Sequence, residues 1–490
     1  MNPIHLTDGY KTGHRPQYPN KTTLVYSNFT ARGTRIPEIT HVVVFAIQYW
    51  VRRYLINEFD REFFGKPKSE VVGKYKRRLD HYLGIDAVSV DHIEALHDLQ
   101  HLPLVIKALP EGSVVPIRVP FLTIENTLPE FFWLTNFLET MLSTVIWHPI
   151  TVASIAYEYR KRLQKAAHET SDMLDFVQWQ GHDFSMRGQT SIESALVAGS
   201  AHLLSFTGTD TLPAIDFLEE YYGANVEEEL VGGSVAATEH SVMCFGGKES
   251  EIDTFRRLIT EVYPKGIVSI VSDTWDYWGV LTKLLPQLKE TIMDRDGKVV
   301  IRPDSGDPVK ILCGDPDAPT GSPEEKGTIE VLWDLFGGTI NSKGYKQLDG
   351  HIGAIYGDSI TLDRCSEILA RLAQKKFAST NVVFGIGSYT YQYVTRDTFG
   401  MAVKATAGYV DGEPIHAYKD PKTDNGLKKS ARGWISVVET PYEEFSMVDQ
   451  LNDDSHLMSL SKLKEVFRDG WVENAYGLRG IRRRLLETLQ

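Results

Sequence analysis

Val299-Val300-Ile301-Arg302-Pro303-Asp304-Ser305-Gly306-Asp307-Pro308 decides the fold: a β-branched run closes on a cation and a carboxylate and then breaks into a loop. Three other runs share this form, Ile267 to Asp273 (IVSIVSD), Ile352 to Asp358 (IGAIYGD) and Asn381 to Ser388 (NVVFGIGS). Three of the four carry an Asp just past the apolar stretch, and the fourth ends in a loop of small residues. A parallel β/α array sets all such strand ends on one face, so residues far apart in sequence converge there. Carboxylates, a cation and a glycine loop gathered in one place suit a sugar phosphate.

Outward from these runs, the order of β-run, loop and helix begins near residue 180. Ile252, Phe255, Leu258, Ile259 and Val262 form one apolar helical stripe, and Leu362, Cys365, Leu369 and Leu372 form another. Between them Ser322-Pro323-Glu324-Glu325 supplies an N-cap, a first-turn Pro and acids at the positive helix end. Ile329, Leu332, Trp333 and Phe336 continue at helical spacing until Gly337-Gly338 stops the helix. Residues up to about 150 mix β-type runs (Thr23 to Ser27, His41 to Phe45) with aromatic-rich helical segments. After about 400 a polar, basic loop (Lys419 to Gly433) precedes two expected closing helices, Leu460 to Phe467 and Ile481 to Leu489.

Composition sets the outer limits. A chain of 490 residues that is 42% hydrophobic can bury at least one large core, and its length suggests two or more domains. The net charge of -13 argues against broad adhesion to nucleic acid or an anionic membrane, so an anionic substrate needs a local basic pocket. The opening MNPIHLTDGYK lacks a signal-peptide layout, and the most apolar long stretch, Phe131 to Trp147, is interrupted by Asn136 and Glu139. Cys244, Cys313 and Cys365 form no CxxC pair, which fits a reducing compartment. A cytoplasmic protein without disulfides is expected.

Each motif carries two readings. Arg302 and Asp304 stand two apart, so at an extended strand end they point to the same side and can hold a ribose hydroxyl and a phosphate or ring. Alternatively Asp304 closes a turn with Ser305 and Gly306. Asp273 and Asp358 are either helix caps or members of one shared site. Gly385-Ile386-Gly387-Ser388 is either a plain tight turn or a phosphate loop exposing N–H groups at a helix start near Tyr389. Phe184 can stack on a flat ring or lie in the core, and Asp210 can accept from a ligand N–H or from nearby backbone. His240, with Glu239 beside it, can be a nucleophile or base, or a structural histidine.

Taken in order, TDGYKTGH (7 to 14), GHDFSMRG (181 to 188), FTGTDT (206 to 211), ATEHS (237 to 241), VSDTWD (271 to 276), IRPDSGDP (301 to 308), YGD (356 to 358), FGIGS (384 to 388) and TRD (395 to 397) resemble the nicotinamide phosphoribosyltransferase family over nearly the whole chain. The resemblance implies a type II phosphoribosyltransferase fold: an irregular α/β barrel over residues 151 to 399 and a mixed α+β domain built from 1 to 150 and 400 to 490. It implies a homodimer with sites at the subunit interface. Phe184 would stack on nicotinamide, with Tyr10 of the partner subunit on the other face, and Asp210 would receive the carboxamide N–H. Arg302 and Arg187 would lie near the base and phosphates, with Asp304, Asp358 and Gly357 on the ribose hydroxyls and Asp273 beside them. Gly387 and Ser388 would bind the 5′-phosphate, and Arg396, Arg32, Lys404, Lys419 and Lys428 would surround phosphate and pyrophosphate. His240 would take a phosphoryl group from ATP, oriented by Glu239, and Mg²⁺ would accompany pyrophosphate, with no residue assigned to the metal. Ile386 and Ser388 depart from the family's small, glycine-rich loop, although Ser388 keeps an N–H and a hydroxyl to donate. The implied substrates are nicotinamide and phosphoribosyl pyrophosphate. The competing expectations are a nicotinate phosphoribosyltransferase and a catalytically silent nucleotide-binding protein on the same fold.

Overall fold

All four apolar runs become strands of one parallel sheet: Val268–Val271, Val299–Arg302, Ile352–Tyr356 and Val382–Ile386. The structure is a computed structural model and describes residues 1–357, 359–419, 430–440 and 444–489; the expected site residues Asp358 and Lys428 lie outside the described residues. Ile352–Tyr356 is the middle strand of seven and is buried along its whole length, as a strand covered on both faces must be. Gly181–Asp183 and Gly208–Thr209 extend the sheet on one side, and Ala236–Ala237 ends it on the other. A parallel bridge between Gly208 and Gly233 draws the two edges together, so the sheet curls into an irregular barrel. In-register parallel pairing sets Arg302 opposite Val271 and Ile386 opposite Asp183, so the strand ends open on one rim.

A second seven-stranded sheet is antiparallel and draws on both chain ends. Thr22–Thr30 pairs with Ala402–Val410 on one side and Pro120–Asn126 on the other, and Leu104–Ala108 pairs with Lys464–Arg468. The helix Glu139–Thr170 connects the two regions: Ser154 Oγ accepts from Val43 N at 2.9 Å, and the Tyr159 hydroxyl donates to the Ile360 carbonyl at 2.8 Å beside the barrel rim. Among the described residues no helix is long and apolar enough to cross a membrane. The three cysteines are free.

Two expected helices differ. Residues 460 to 467 are not a helix; Lys464–Arg468 is a strand. A bulge against Leu104–Ala108 between Glu465 and Phe467 turns Val466 and Phe467 both inward, which imitates helical spacing in the sequence. The expected helix from Ser322 to Phe336 is two helices, Pro323–Lys326, capped by Ser322, and Thr328–Phe336. Gly327 separates them at φ +80°, where a Cβ would strike the backbone of Cys313 and Gly314. Thr361 caps Leu362–Gln374 through the Arg364 N–H, and this helix buries Cys365, Ile368, Leu369 and Leu372 as its stripe requires. The chain closes on the helix Leu478–Glu487.

Candidate active site

The rim is assembled from strand ends that bond to one another. Asp273 Oδ2 accepts from the Asp304 N–H at 3.1 Å and from the Ser305 hydroxyl at 2.6 Å. Asp276, not Asp273, caps the helix that follows, and Asp307 caps Pro308–Cys313. Asp273 therefore ties to the Asp304–Ser305 turn rather than capping a helix. Arg302 Nη2 donates to the Thr238 carbonyl at 2.8 Å, which holds the guanidinium beside Asp304, with Nε 3.9 Å from Oδ1. Gly357 packs under this group: a Cβ there would come within 2.7 Å of Asp304 Oδ1.

His240 opens the seven-residue helix His240–Gly246 and is about half exposed. Its Nδ1 lies 3.2 Å from Thr274 Oγ, and its Nε2 lies 3.7 Å from Asp273 Oδ1 and 3.9 Å from Asp304 Oδ2. The Glu239 carboxylate accepts instead from the Ser241 hydroxyl. Asp273 Oδ1 is buried and has no hydrogen-bond partner among the described residues. Two carboxylates thus converge on an exposed imidazole.

Beside this cluster a cavity of about 460 Å³ runs into the barrel. Phe184 lies on its wall rather than in the core, because Gly385 leaves room for the ring: a Cβ there would meet it at 2.5 Å. Lys298, Val300 and Arg302 line another wall from alternate positions of one strand. Asp210 faces the same space. Its Oδ1 takes His182 Nε2 at 2.9 Å and the Ser234 hydroxyl at 2.7 Å, and no described residue bonds its Oδ2. Burial works against the charged carboxyl, but the hydrogen bond and charge of His182, the Ser234 hydroxyl and Arg302 outweigh it and hold the pKa below the usual aspartate value. His182 and Ser234 were not expected as site residues. Alternation from Phe184 does place His182 on the same face, whereas Ser234 stands on a loop without periodicity.

Gly387 is extended and precedes the single turn Ser388–Tyr391, whose first N–H groups have no partner within the turn. Gly188 lies so close to Ser388 that a Cβ would overlap its hydroxyl, which brings exposed Arg187 beside the loop. The remaining cations form a separate group on the antiparallel sheet and its flanking loops. Arg32 Nε donates to the Gly400 carbonyl at 2.7 Å, and Arg396 lies 3.3 Å from Asp397. Lys404 has its pKa lowered by burial and by Arg32, Lys419 and Lys11, against the opposing charge of Glu139. Tyr10 is 63% exposed and its ring meets His14 and Lys11, so within one chain it is not joined to Phe184. Among the described residues no three His, Cys, Asp or Glu side chains form a metal cluster.

Comparison with known proteins agrees with this architecture. The nicotinate phosphoribosyltransferase family matches residues 179–471, and the nicotinamide phosphoribosyltransferase N-terminal domain matches residues 2–61. A nicotinamide phosphoribosyltransferase of Acinetobacter baylyi is 51% identical over 501 residues, covering 100% of this chain and 98% of the relative. One of Mycoplasma pneumoniae is 37% identical, covering 85% of this chain and 92% of the relative. Crystal structures of nicotinate-nucleotide pyrophosphorylase from Pyrococcus furiosus and of human nicotinic acid phosphoribosyltransferase share the fold. Their TM-scores are 0.57 and 0.55 at 14% and 15% identity; they cover 99% of this chain, and this chain covers 95% and 93% of theirs. A family match over more than half of the chain, together with full-length relatives at this identity, shows that the chain belongs to the nicotinate phosphoribosyltransferase family and, within it, to the nicotinamide phosphoribosyltransferases.

Proposed function

We propose that this enzyme joins the pyridine nitrogen of nicotinamide to C1 of phosphoribosyl pyrophosphate, giving nicotinamide mononucleotide and pyrophosphate in NAD salvage. The observation that carries the reading is Asp210. Two donors occupy its Oδ1, no described residue bonds its Oδ2, and the residue lines a cavity walled by Phe184 and Arg302. A carboxamide N–H satisfies that acceptor, whereas a carboxylate substrate meets like charge.

The ring nitrogen is already a nucleophile and needs no general base. Catalysis then rests on alignment and on charge: the C1–O bond to pyrophosphate breaks as the C1–N bond forms, and positive charge grows on the ribose. Asp304 faces that charge and, with Gly357 and Asp358, holds the ribose hydroxyls, while Gly387, Ser388 and Arg187 take the 5′-phosphate. Asp273, whose buried Oδ1 has no hydrogen bond among the described residues, and Asp304 are the carboxylates that would hold Mg²⁺, which would supply positive charge against the pyrophosphate leaving group. His240, exposed beside both, fits a phosphoryl acceptor from ATP. The mixed region of residues 1–150 and 400–490 supplies Tyr10, Arg32, Lys404, Lys419 and Lys428 to the site of the other subunit in a homodimer, completing the catalytic region of residues 151–399, which carries Arg396.

The test is product formation from nicotinamide, phosphoribosyl pyrophosphate and Mg²⁺, with and without ATP, in wild type and His240→Ala. Mononucleotide formation stimulated by ATP only in wild type is expected. No product from wild type overturns the reaction, and full ATP stimulation of His240→Ala removes the histidine from the coupling.

A further inference from the structure

His202 is fully buried at the end of the helix Ile192–His202, outside the cavity, and the chemistry above makes no use of it. Its Nε2 lies 3.0 Å from the Gly208 carbonyl and its Nδ1 lies 2.7 Å from the Tyr391 hydroxyl. A carbonyl only accepts, so Nε2 carries the proton. Burial keeps the ring below its ordinary pKa, hence neutral, and Nδ1 is then the acceptor of the Tyr391 O–H. Both partners are in strategic places. Gly208 begins the two-residue strand Gly208–Thr209, which Asp210 directly follows, and Tyr391 closes the turn that follows Gly387. Tyr391 is itself fully buried, and its carbonyl accepts from His148 Nε2 at 2.8 Å. The neighbouring Thr390 hydroxyl donates to the Ile360 carbonyl at 2.9 Å, just past Gly357 and the ribose loop.

We propose that His202 is a positioning residue that, through Tyr391, ties the strand end presenting Asp210 to the turn of the phosphate loop and so sets the spacing between base and 5′-phosphate. This link rests on the reaction proposed above, which needs the ring nitrogen held against C1 while the phosphate is anchored elsewhere. A buried neutral imidazole suits the task because it donates on one side and accepts on the other, leaving neither neighbour unpaired.

The test compares wild type, Tyr391→Phe and His202→Gln, with kinetics normalised to folded enzyme and thermal midpoints recorded alongside. Tyr391→Phe keeps the ring and removes the donor; it is expected to raise KM for phosphoribosyl pyrophosphate by about tenfold, the scale of one buried hydrogen bond, and to lower kcat. His202→Gln retains a donor and an acceptor and is expected to recover most of both constants. A merely structural role would lower the midpoint and leave KM unmoved, and that result in Tyr391→Phe overturns the proposal. Calorimetric binding of phosphoribosyl pyrophosphate to the same proteins reads the link without turnover. A wild type that binds it about tenfold more tightly than Tyr391→Phe but makes no product overturns the reaction and supports the link.

Discussion

Asp210 gives one oxygen to the protein, and on the proposed reading its other oxygen is the recognition group for the carboxamide. With His182 and Ser234 on Oδ1 the side chain has one free acceptor direction. Asp304 is used differently. Its backbone N–H is spent on Asp273, which fixes the residue at the rim, where the proposed reaction needs the ribose. Losing one electrostatic group at a site of developing charge costs about 10²–10³ in rate. Asp304→Ala is therefore expected to lower kcat on that scale with its circular dichroism and melting midpoint close to wild type; near-normal turnover would remove Asp304 from the site. Arg302 and Asp304 were readable as neighbours on one side of a strand end from alternation, while Phe184 and Asp210 were singled out by residue type and by the family resemblance. Ser234 and Thr238 were not, since one acts from an irregular loop and the other through its main-chain carbonyl, which any residue type supplies.

Local periodicity was a good guide where one face of an element meets one partner. It found the four barrel strands and the stripe of Leu362–Gln374. It failed at Lys464–Arg468, where a bulge buries two successive residues, and at Gly327, where close backbone packing breaks what reads as one helix. A third element carries a titratable group that pattern reading passes over. Glu111 is 2% exposed and accepts from the N–H groups of Ala46 and Gln48, at the start of Ile47–Trp50. Burial, against those hydrogen bonds, raises its pKa to about 7. The folded state thus favours the protonated form. Its contribution is complete below the unfolded value of ~4.3 and is lost as pH rises through about 7, on the order of 3 kcal/mol in all. Thermal midpoints should fall from pH 5 to pH 8 in wild type and stay flatter in Glu111→Gln. Equal slopes in the two proteins would mean that Glu111 is not the group responsible.

The whole molecule sets two sites of charge apart. Carboxylates and the Phe184–Asp210 cavity occupy the barrel rim, while Lys404 stands on a sheet woven from both chain ends and Tyr10, Arg32 and Lys419 on segments that flank it. In the proposed homodimer, one chain's basic group completes the site of the other chain's barrel. Mixing inactive Asp304→Ala and Tyr10→Ala chains then creates heterodimers with one intact site, and random pairing of the two should restore about one quarter of wild-type sites. Activity no greater than the average of the two parents would contradict shared sites. The most direct measurement is the ratio of kcat/KM for nicotinamide over nicotinic acid in wild type and Asp210→Asn. A strong preference for nicotinamide that falls by tenfold or more in Asp210→Asn is the expected result, since the amide no longer repels a carboxylate. A wild type that prefers nicotinic acid, or a preference unchanged by the substitution, would contradict the assignment of this site to nicotinamide.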